Sequence, residues 1–149
     1  VFNKLLNLFR KKKIAFIDGD QSIQHSLKIY KKYLANTNTE THLIKLLPPG
    51  HNQPKLLKNV DFNKIYISEY TSSKECVDKF IGAYIQHAVS AGYQEITVVS
   101  SDYDFIDIFK MASMIDQRAK KITFRLIVPQ AKGRLNDLPP KFRNIEVIK

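Results

Sequence analysis

Short unbroken apolar runs alternate along this chain with longer stretches in which apolar residues recur every three to four positions. The runs suit buried strands, and the spaced stretches suit helices that bury one face. Phe2, Leu5, Leu6 and Phe9 predict an N-terminal amphipathic helix, and the basic run Arg10-Lys11-Lys12-Lys13 follows it. Such a helix can lie on a membrane surface, but packing against a core is the commoner use of the pattern. Ile14-Ala15-Phe16-Ile17 predicts a buried strand that halts at Asp18-Gly19-Asp20. Ser22 is placed to cap a helix over 23–35, where Ile23, Leu27, Tyr30 and Leu34 keep helical spacing. His42 to Leu47 predicts a second strand, stopped by Pro48-Pro49-Gly50, and residues 48–60 predict an irregular connection.

The alternation continues. Lys64 to Ile67 predicts a third strand, and Ser72-Ser73-Lys74-Glu75 has the spacing of a capping box. The helix it opens carries Val77, Phe80, Ile81, Tyr84, Ile85, Ala88 and Val89, and Gly92 is placed to end it. Glu95 to Ser100 predicts a fourth strand. Ser101-Asp102-Tyr103-Asp104 opens another helix, with Phe105, Ile108, Phe109, Ala112 and Met114 on or near its buried face. Ile122 to Val128 and Ile145 to Ile148 predict two further strands, with a loop containing Gly133 and Pro139-Pro140 between them. Strands that alternate with helices predict an α/β fold: one domain, with a mainly parallel central sheet flanked by helices in a Rossmann-like three-layer arrangement. The chain divides into residues 1–13, the amphipathic helix and basic run, and residues 14–149, the domain itself.

Composition then narrows the class. The 149 residues carry 24 Lys and Arg against 14 Asp and Glu, a net charge of +10. That excess predicts attraction to polyanions, although a solubilising charge without a partner has the same sign. Cys76 is the single cysteine, so neither an intramolecular disulfide nor a thiolate zinc cluster can form within the chain. A reducing, cytoplasmic compartment is the expectation. No apolar run approaches the roughly 20 residues that span a bilayer. The four histidines show no metal-ligand spacing.

The acids change the picture most. In open α/β sheets, sites form beyond the carboxyl ends of strands. Two strands here run into acidic pairs, Asp18 with Asp20 and Asp102 with Asp104. A fifth acid, Asp78, lies early in the helix before the fourth strand, at the border of its apolar stripe. Singly, each has an ordinary use: Asp18-Gly19 as a turn, Asp20, Asp102 or Asp104 as a helix cap, Asp78 as a solvated helix residue. Together they form a cluster in which two charges about 4 Å apart repel by roughly 4 kcal/mol at an effective dielectric near 20. A divalent cation relieves that repulsion, and hard carboxylate oxygens suit Mg²⁺ or Mn²⁺. Basic residues supply hands for a phosphate backbone: Lys28, Lys31 and Lys32 after the first acidic pair, and Lys74 and Lys79 around Asp78. Tyr103 is placed either to stack on an unpaired base or simply to pack.

Three segments resemble the motifs of PIN-like nucleases, in particular the NYN group. Phe16-Ile17-Asp18-Gly19-Asp20-Gln21 is similar to the opening motif, Ser73-Lys74-Glu75-Cys76-Val77-Asp78 to the middle one, and Val98 to Phe105 to the third, a Ser-x-Asp-x-Asp-Phe pattern after an apolar strand. They occur in the family's order over residues 14–109. The resemblance implies a PIN-like fold and a Mg²⁺- or Mn²⁺-dependent endoribonuclease that acts on single-stranded or structured RNA and leaves a 5′-phosphate. It implies Asp18, Asp78 and Asp102 as the core metal set, Asp104 in support and Asp20 beside them, with Gln21 where the family usually has Asn. RNA is expected over DNA, and at the protein level the expected partner is a second copy of the chain or an inhibitory protein. Tyr84 stands where many members carry a further aspartate.

Two other readings compete. Asp18-Gly19-Asp20 also resembles the opening of haloacid-dehalogenase-like phosphatases, with Asp18 as nucleophile, Asp20 as general acid, Ser68 as the hydroxyl, Lys74 or Lys79 as the lysine, and Asp102 with Asp107 as the metal pair. That family needs a helical squiggle and a flap after its first motif, where this chain offers a plain helix, and it leaves Asp78 without a role. The third reading is an inactive PIN-like module that binds RNA or protein, favoured by Gln21 and Tyr84.

Overall fold

A computed structural model describes residues 11–47, 50–67, 76–130 and 141–149. The expected N-terminal helix, the capping box Ser72–Glu75 with Lys74, and Ser68 lie outside the described residues. Strand β1 spans Lys13–Asp18, and helix α1 covers Ile23–Ile29. The Ser22 hydroxyl caps α1 by accepting from the His25 amide at 3.4 Å, and the helix loosens into a π-helical turn over Tyr30–Leu34. Strands β2 (Glu40–Leu46) and β3 (Asn63–Ile67) follow. Helix α2 (Cys76–Ser90) leads into β4 (Glu95–Val99), and helix α3 (Asp104–Ile115) leads into β5 (Thr123–Ile127). A short β6 (Lys141–Phe142) and β7 (Ile145–Ile148) complete the sheet.

The strand order is β3-β2-β1-β4-β5-β7-β6, with every pairing parallel except β6 with β7. The fold is therefore α/β with a mainly parallel central sheet, as the alternating pattern predicts. Strict side-chain alternation sorts the core into two layers. On one face Ile14, Phe16, Ile44, Ile96, Val98, Phe124 and Leu126 pack under α2 and α3, against Val77, Ile81, Ile85, Phe105 and Phe109. On the other, Ala15, Ile17, Leu43, Val99 and Ile127 meet the α1 side of the molecule, where Leu27, Leu34, Leu57 and Phe62 close the layer. Right-handed crossovers dictate this split: the chain winds outward from β1 to β3, then returns across β1 to β4 and winds the other way. Residues 50–60 of the expected irregular connection are more ordered than the sequence predicts, since Lys55–Leu57 form a 3₁₀ turn that buries Leu57 completely. The loop before β7 likewise contains β6, which two residues of sequence cannot announce.

Candidate metal centre

The winding direction reverses between β1 and β4, which pair in parallel from Lys13↔Glu95 to Ile17↔Val99. Loops leaving the carboxyl ends of two such strands part in opposite directions and leave a crevice. Asp18 ends β1 there, and Ser100 follows β4 directly. The Ser100 hydroxyl is wholly buried and donates to Asp18 Oδ2 at 2.9 Å, while accepting from the Asp102 amide at 3.1 Å. Asp18 and the start of the third motif thus meet on one hydroxyl. Gln21 ties the loops a second time: its Nε2 donates to Ser100 Oγ at 3.2 Å, and its Oε1 accepts from the Ser101 amide at 3.0 Å. Both ends of the Gln21 amide therefore bond within the protein. Gln21 thereby positions the two loops, a task that needs an amide with both a donor and an acceptor, and it keeps a second N–H and a second lone pair for the crevice.

Backbone crowding holds the first loop down. The Gly19 amide donates to Ile44 O at 2.7 Å, and a Cβ on Gly19 would lie 2.5 Å from that oxygen and 2.6 Å from Lys45 Cβ. Only glycine fits. The Lys45 ammonium donates to the Gly19 carbonyl at 3.0 Å, which brings a cation from the end of β2 to the acidic loop. Sequence reasoning missed Lys45 and Ser100. The signal for Lys45 is the β1–β2 register, which sets Asp18 opposite Ile44; no motif carries it.

The acids differ in setting. Asp18 is only 4% exposed. Burial raises its pKa, opposed by the Ser100 hydrogen bond and the Asp20 amide, which donates to Oδ1 at 3.1 Å. Asp20 itself is exposed. Asp102 Oδ1 accepts from the Asp104 amide at 2.9 Å, just before α3, while Asp104 lies exposed in the first turn of that helix. The Ser101 hydroxyl does not cap: it accepts from the Gln130 amide at 3.1 Å. Asp78, from the first turn of α2, reaches the same place. Burial, a side-chain hydrogen bond with Asp102, and the charges of Asp18, Asp102 and Asp104 push its pKa up to about 8. Asp18, Asp102 and Asp104 are thus all within electrostatic reach of Asp78.

The remaining expected contacts fall further out. Lys79 is exposed beside Asp78. Lys28, Lys31 and Lys32 are exposed, but α1 carries them away from its capped end. At 1.5 Å per helical residue, Lys31 lies roughly 12 Å along the axis from Ile23, and the Lys32 ammonium sits over the Tyr33 ring at 5.0 Å. Tyr103 is half-buried and packs against the core beneath α3. Tyr84 stacks on Phe16 with ring centroids 5.9 Å apart, in the middle of the sheet rather than at its edge. It fills the core layer and stands in for no ligand at the crevice.

No protein-family model and no curated protein matches this chain. A crystal structure of a protein of unknown function from Vibrio parahaemolyticus has the same fold. Its TM-score is 0.60 at 15% identity, over 95% of both chains. At that identity the likeness concerns architecture alone, and the chemistry rests on the residues themselves.

Those residues suit a hard divalent cation in donor type. Among the described residues, no three Asp, Glu, His or Cys side chains already surround a single ion position. What stands there instead is a close carboxyl pair, Asp78 and Asp102, whose proximity raises the Asp78 pKa and favours a proton on it. Shared protons and bound cations are alternative answers to the same repulsion, so the donor set fits a metal that replaces the proton.

Proposed function

We propose that the protein is a divalent-metal-dependent nuclease whose centre is built from Asp18, Asp78 and Asp102, with Asp104 and Asp20 beside them, and whose substrate is RNA. The observation that carries this reading is the convergence of Asp18, Asp78 and Asp102 from β1, α2 and the loop after β4 at the switch point of the sheet. Asp78 is the informative member, because a solvated helix aspartate would not have its pKa raised by burial and by Asp18, Asp102 and Asp104. A bound Mg²⁺ or Mn²⁺ would supply orientation of the phosphodiester, activation of a water and neutralisation of the leaving oxygen. The chain's own residues do the positioning. Ser100 fixes the Asp18 carboxylate, Gln21 locks the two acidic loops together, and Gly19 lets the first loop lie against β2. Lys45 and Lys79 bring cations to the rim, where they favour an approaching phosphate. The net charge of +10 supports a polyanionic substrate.

The phosphatase reading has less behind it. Helix α1 begins at Ile23, four residues after Gly19, and leaves no room for a squiggle and flap. It also gives Asp78 no task. The two readings, and that of an inactive module, separate on one set of variants. Asp18→Asn, Asp78→Asn and Asp102→Asn are each expected to abolish Mn²⁺-dependent cleavage of labelled RNA while the fold persists, with chelator as the blank. Full cleavage by Asp78→Asn beside an inactive Asp18→Asn would refute the centre as drawn. Turnover of small phosphomonoesters that depends on Asp18 and not on Asp78 would establish the phosphatase instead.

A further inference from the structure

At the opposite edge of the sheet lies a cavity of about 740 Å³, lined by Lys110, Ser113, Met114, Lys120, Arg143, Asn144 and Ile145. No acidic residue is among these described lining residues. Helix α3 connects the two ends of the molecule: it starts with Asp104 at the carboxylates and reaches the cavity with Lys110 and Ser113. Nine residues of helix separate Asp104 from Ser113, roughly 14 Å along the axis.

Two local features set this cavity apart. Arg143 adopts φ +54° at the turn between β6 and β7. The other described non-glycine residues with positive φ are Asn36 and Asn38, which tolerate that region; an arginine there is uncommon. The turn is pinned in place by its neighbour. Asn144 Nδ2 donates to Ala119 O at 3.1 Å and to Ile122 O at 2.8 Å, and the Phe124 amide donates to Asn144 O at 2.8 Å. Those bonds hold the Arg143 turn against the 3₁₀ segment Gln117–Lys121, which carries Lys120. Glycine is the ordinary residue for a positive-φ hairpin position. A cationic side chain kept at a strained position beside a cavity is a pattern associated with function. The second feature is Ser113 Oγ, which is buried and has no hydrogen-bond partner among the described residues. Met114 and Ile145 give the same cavity an apolar surface.

We infer that this cavity is a nucleotide-binding site separate from the carboxylates, with a phosphate held by Lys120 and Arg143 and the sugar or base laid against Met114 and Ile145. The nucleotide is either one unit of a bound RNA strand or a free mononucleotide; the recognising chemistry is the same. The Lys110 ammonium supplies a further polar contact, and the buried Ser113 hydroxyl lies behind the cavity wall. In the strand case the inference extends the nuclease reading, because α3 would then mark the path from the holding site to the cutting site. Its test requires no cleavage, so the two can fail separately.

The test uses the full chain in the presence of chelator. Binding of a fluorescein-labelled single-stranded 12-nucleotide RNA is followed by anisotropy from 0.05 to 0.3 M salt, and binding of AMP by calorimetry. The variants are Lys120→Gln and Arg143→Gly, singly and together. Glycine relieves the φ +54° position, so Arg143→Gly is expected to melt no lower than the parent. Loss of two phosphate contacts should flatten the log K against log salt slope by about 1.4 and weaken binding about 25-fold at 0.1 M salt, at about 0.7 per contact for a single strand. That result supports the strand. Unchanged RNA binding with AMP binding lost in the double variant supports the free nucleotide. Unchanged affinity for both ligands, or no binding of either by the parent chain, overturns the inference, and Arg143 is then a turn residue only.

Discussion

Asp78 offers the sharpest quantitative handle on the acidic centre. Its carboxyl is pushed from 3.8 up to about 8, first by burial, then by the hydrogen bond with Asp102 and the charges of Asp18, Asp102 and Asp104. A carboxyl whose folded pKa lies above its unfolded value favours folding most below the unfolded value. That stability drains away as pH rises from about 4 through about 8. At about 1.4 kcal/mol per unit, the whole displacement corresponds to roughly 6 kcal/mol without screening. Asp78 keeps substantial contact with solvent, and screening brings the expected effect to about 2–3 kcal/mol. Asn mimics the protonated acid: same shape, a donor toward Asp102, no charge. Asp78→Asn should therefore match the parent at pH 4 and exceed it at pH 9 in the presence of chelator. At roughly 2–4 °C per kcal/mol for a chain of this size, the gain in Tm is roughly 5–10 °C. Thermal melts by circular dichroism read it directly. Added Mn²⁺ at 1,000 times its Kd should reverse the ranking at pH 8, because it stabilises the parent by about 4.1 kcal/mol. Equal melting temperatures at pH 9, or one constant difference at both pH values, would show that the carboxylates do not crowd as described.

Further outcomes test the surrounding scaffold. Mn²⁺ affinity, measured by calorimetry in two buffers of different ionisation enthalpy, should rise between pH 6 and pH 8 with release of a proton, since the cation displaces the one held near Asp78; pH-independent binding would contradict the exchange. Gly19→Ala should lose about 1–3 kcal/mol in urea melts, because its Cβ has no room beside Ile44 O; a neutral change would mean the loop is free to shift. Ser100→Ala removes the hydroxyl shared by Asp18 and the Asp102 amide, and should cost about 1–3 kcal/mol and most of the cleavage rate; parent-like activity would remove Ser100 from the centre.

How much of this was legible in the sequence depends on the range of the interaction. Strands β1, β2, β3, β4, β5 and β7 and helices α1, α2 and α3 were readable because their apolar periodicity is local and strong. The helical stop at Gly92 was readable for the same reason; it has φ +84°. β6 was not, because two residues carry no period and the strand exists only through its pairing with Ile145 and Glu146. The buried Leu57 turn was hidden in a polar stretch, where one apolar residue looks like loop. Side-chain roles split along the same line. Gln21 was noticed, but its partners Ser100 and Ser101 lie 79 and 80 residues away, so its tie between the two loops is invisible in its motif alone. Lys31 and Lys32 were grouped with the first motif by sequence distance, whereas the helix that carries them leads away from it.

The acids escaped that limit for a topological reason. A parallel strand that starts at one edge of the sheet must end at the other, so two strand-terminal acidic pairs fall on one edge whatever the strand order. Order decides only how near they are. The pattern allowed β1 and β4 to be neighbours without requiring it, and the reversal of winding made them so. Asp78 needed one condition more: its helix had to cross toward β4 on the face where Asp18 points. In β1, Ile14 and Phe16 lie beneath α2 and α3, and alternation puts Asp18 on that same face. Helix α2 runs down to β4, so its first turn, with Asp78, stands at the carboxyl edge. One face, one edge and one reversal bring three distant aspartates together. None of the three conditions is visible in any single motif, which is why the constellation carries more weight than the residues taken one at a time.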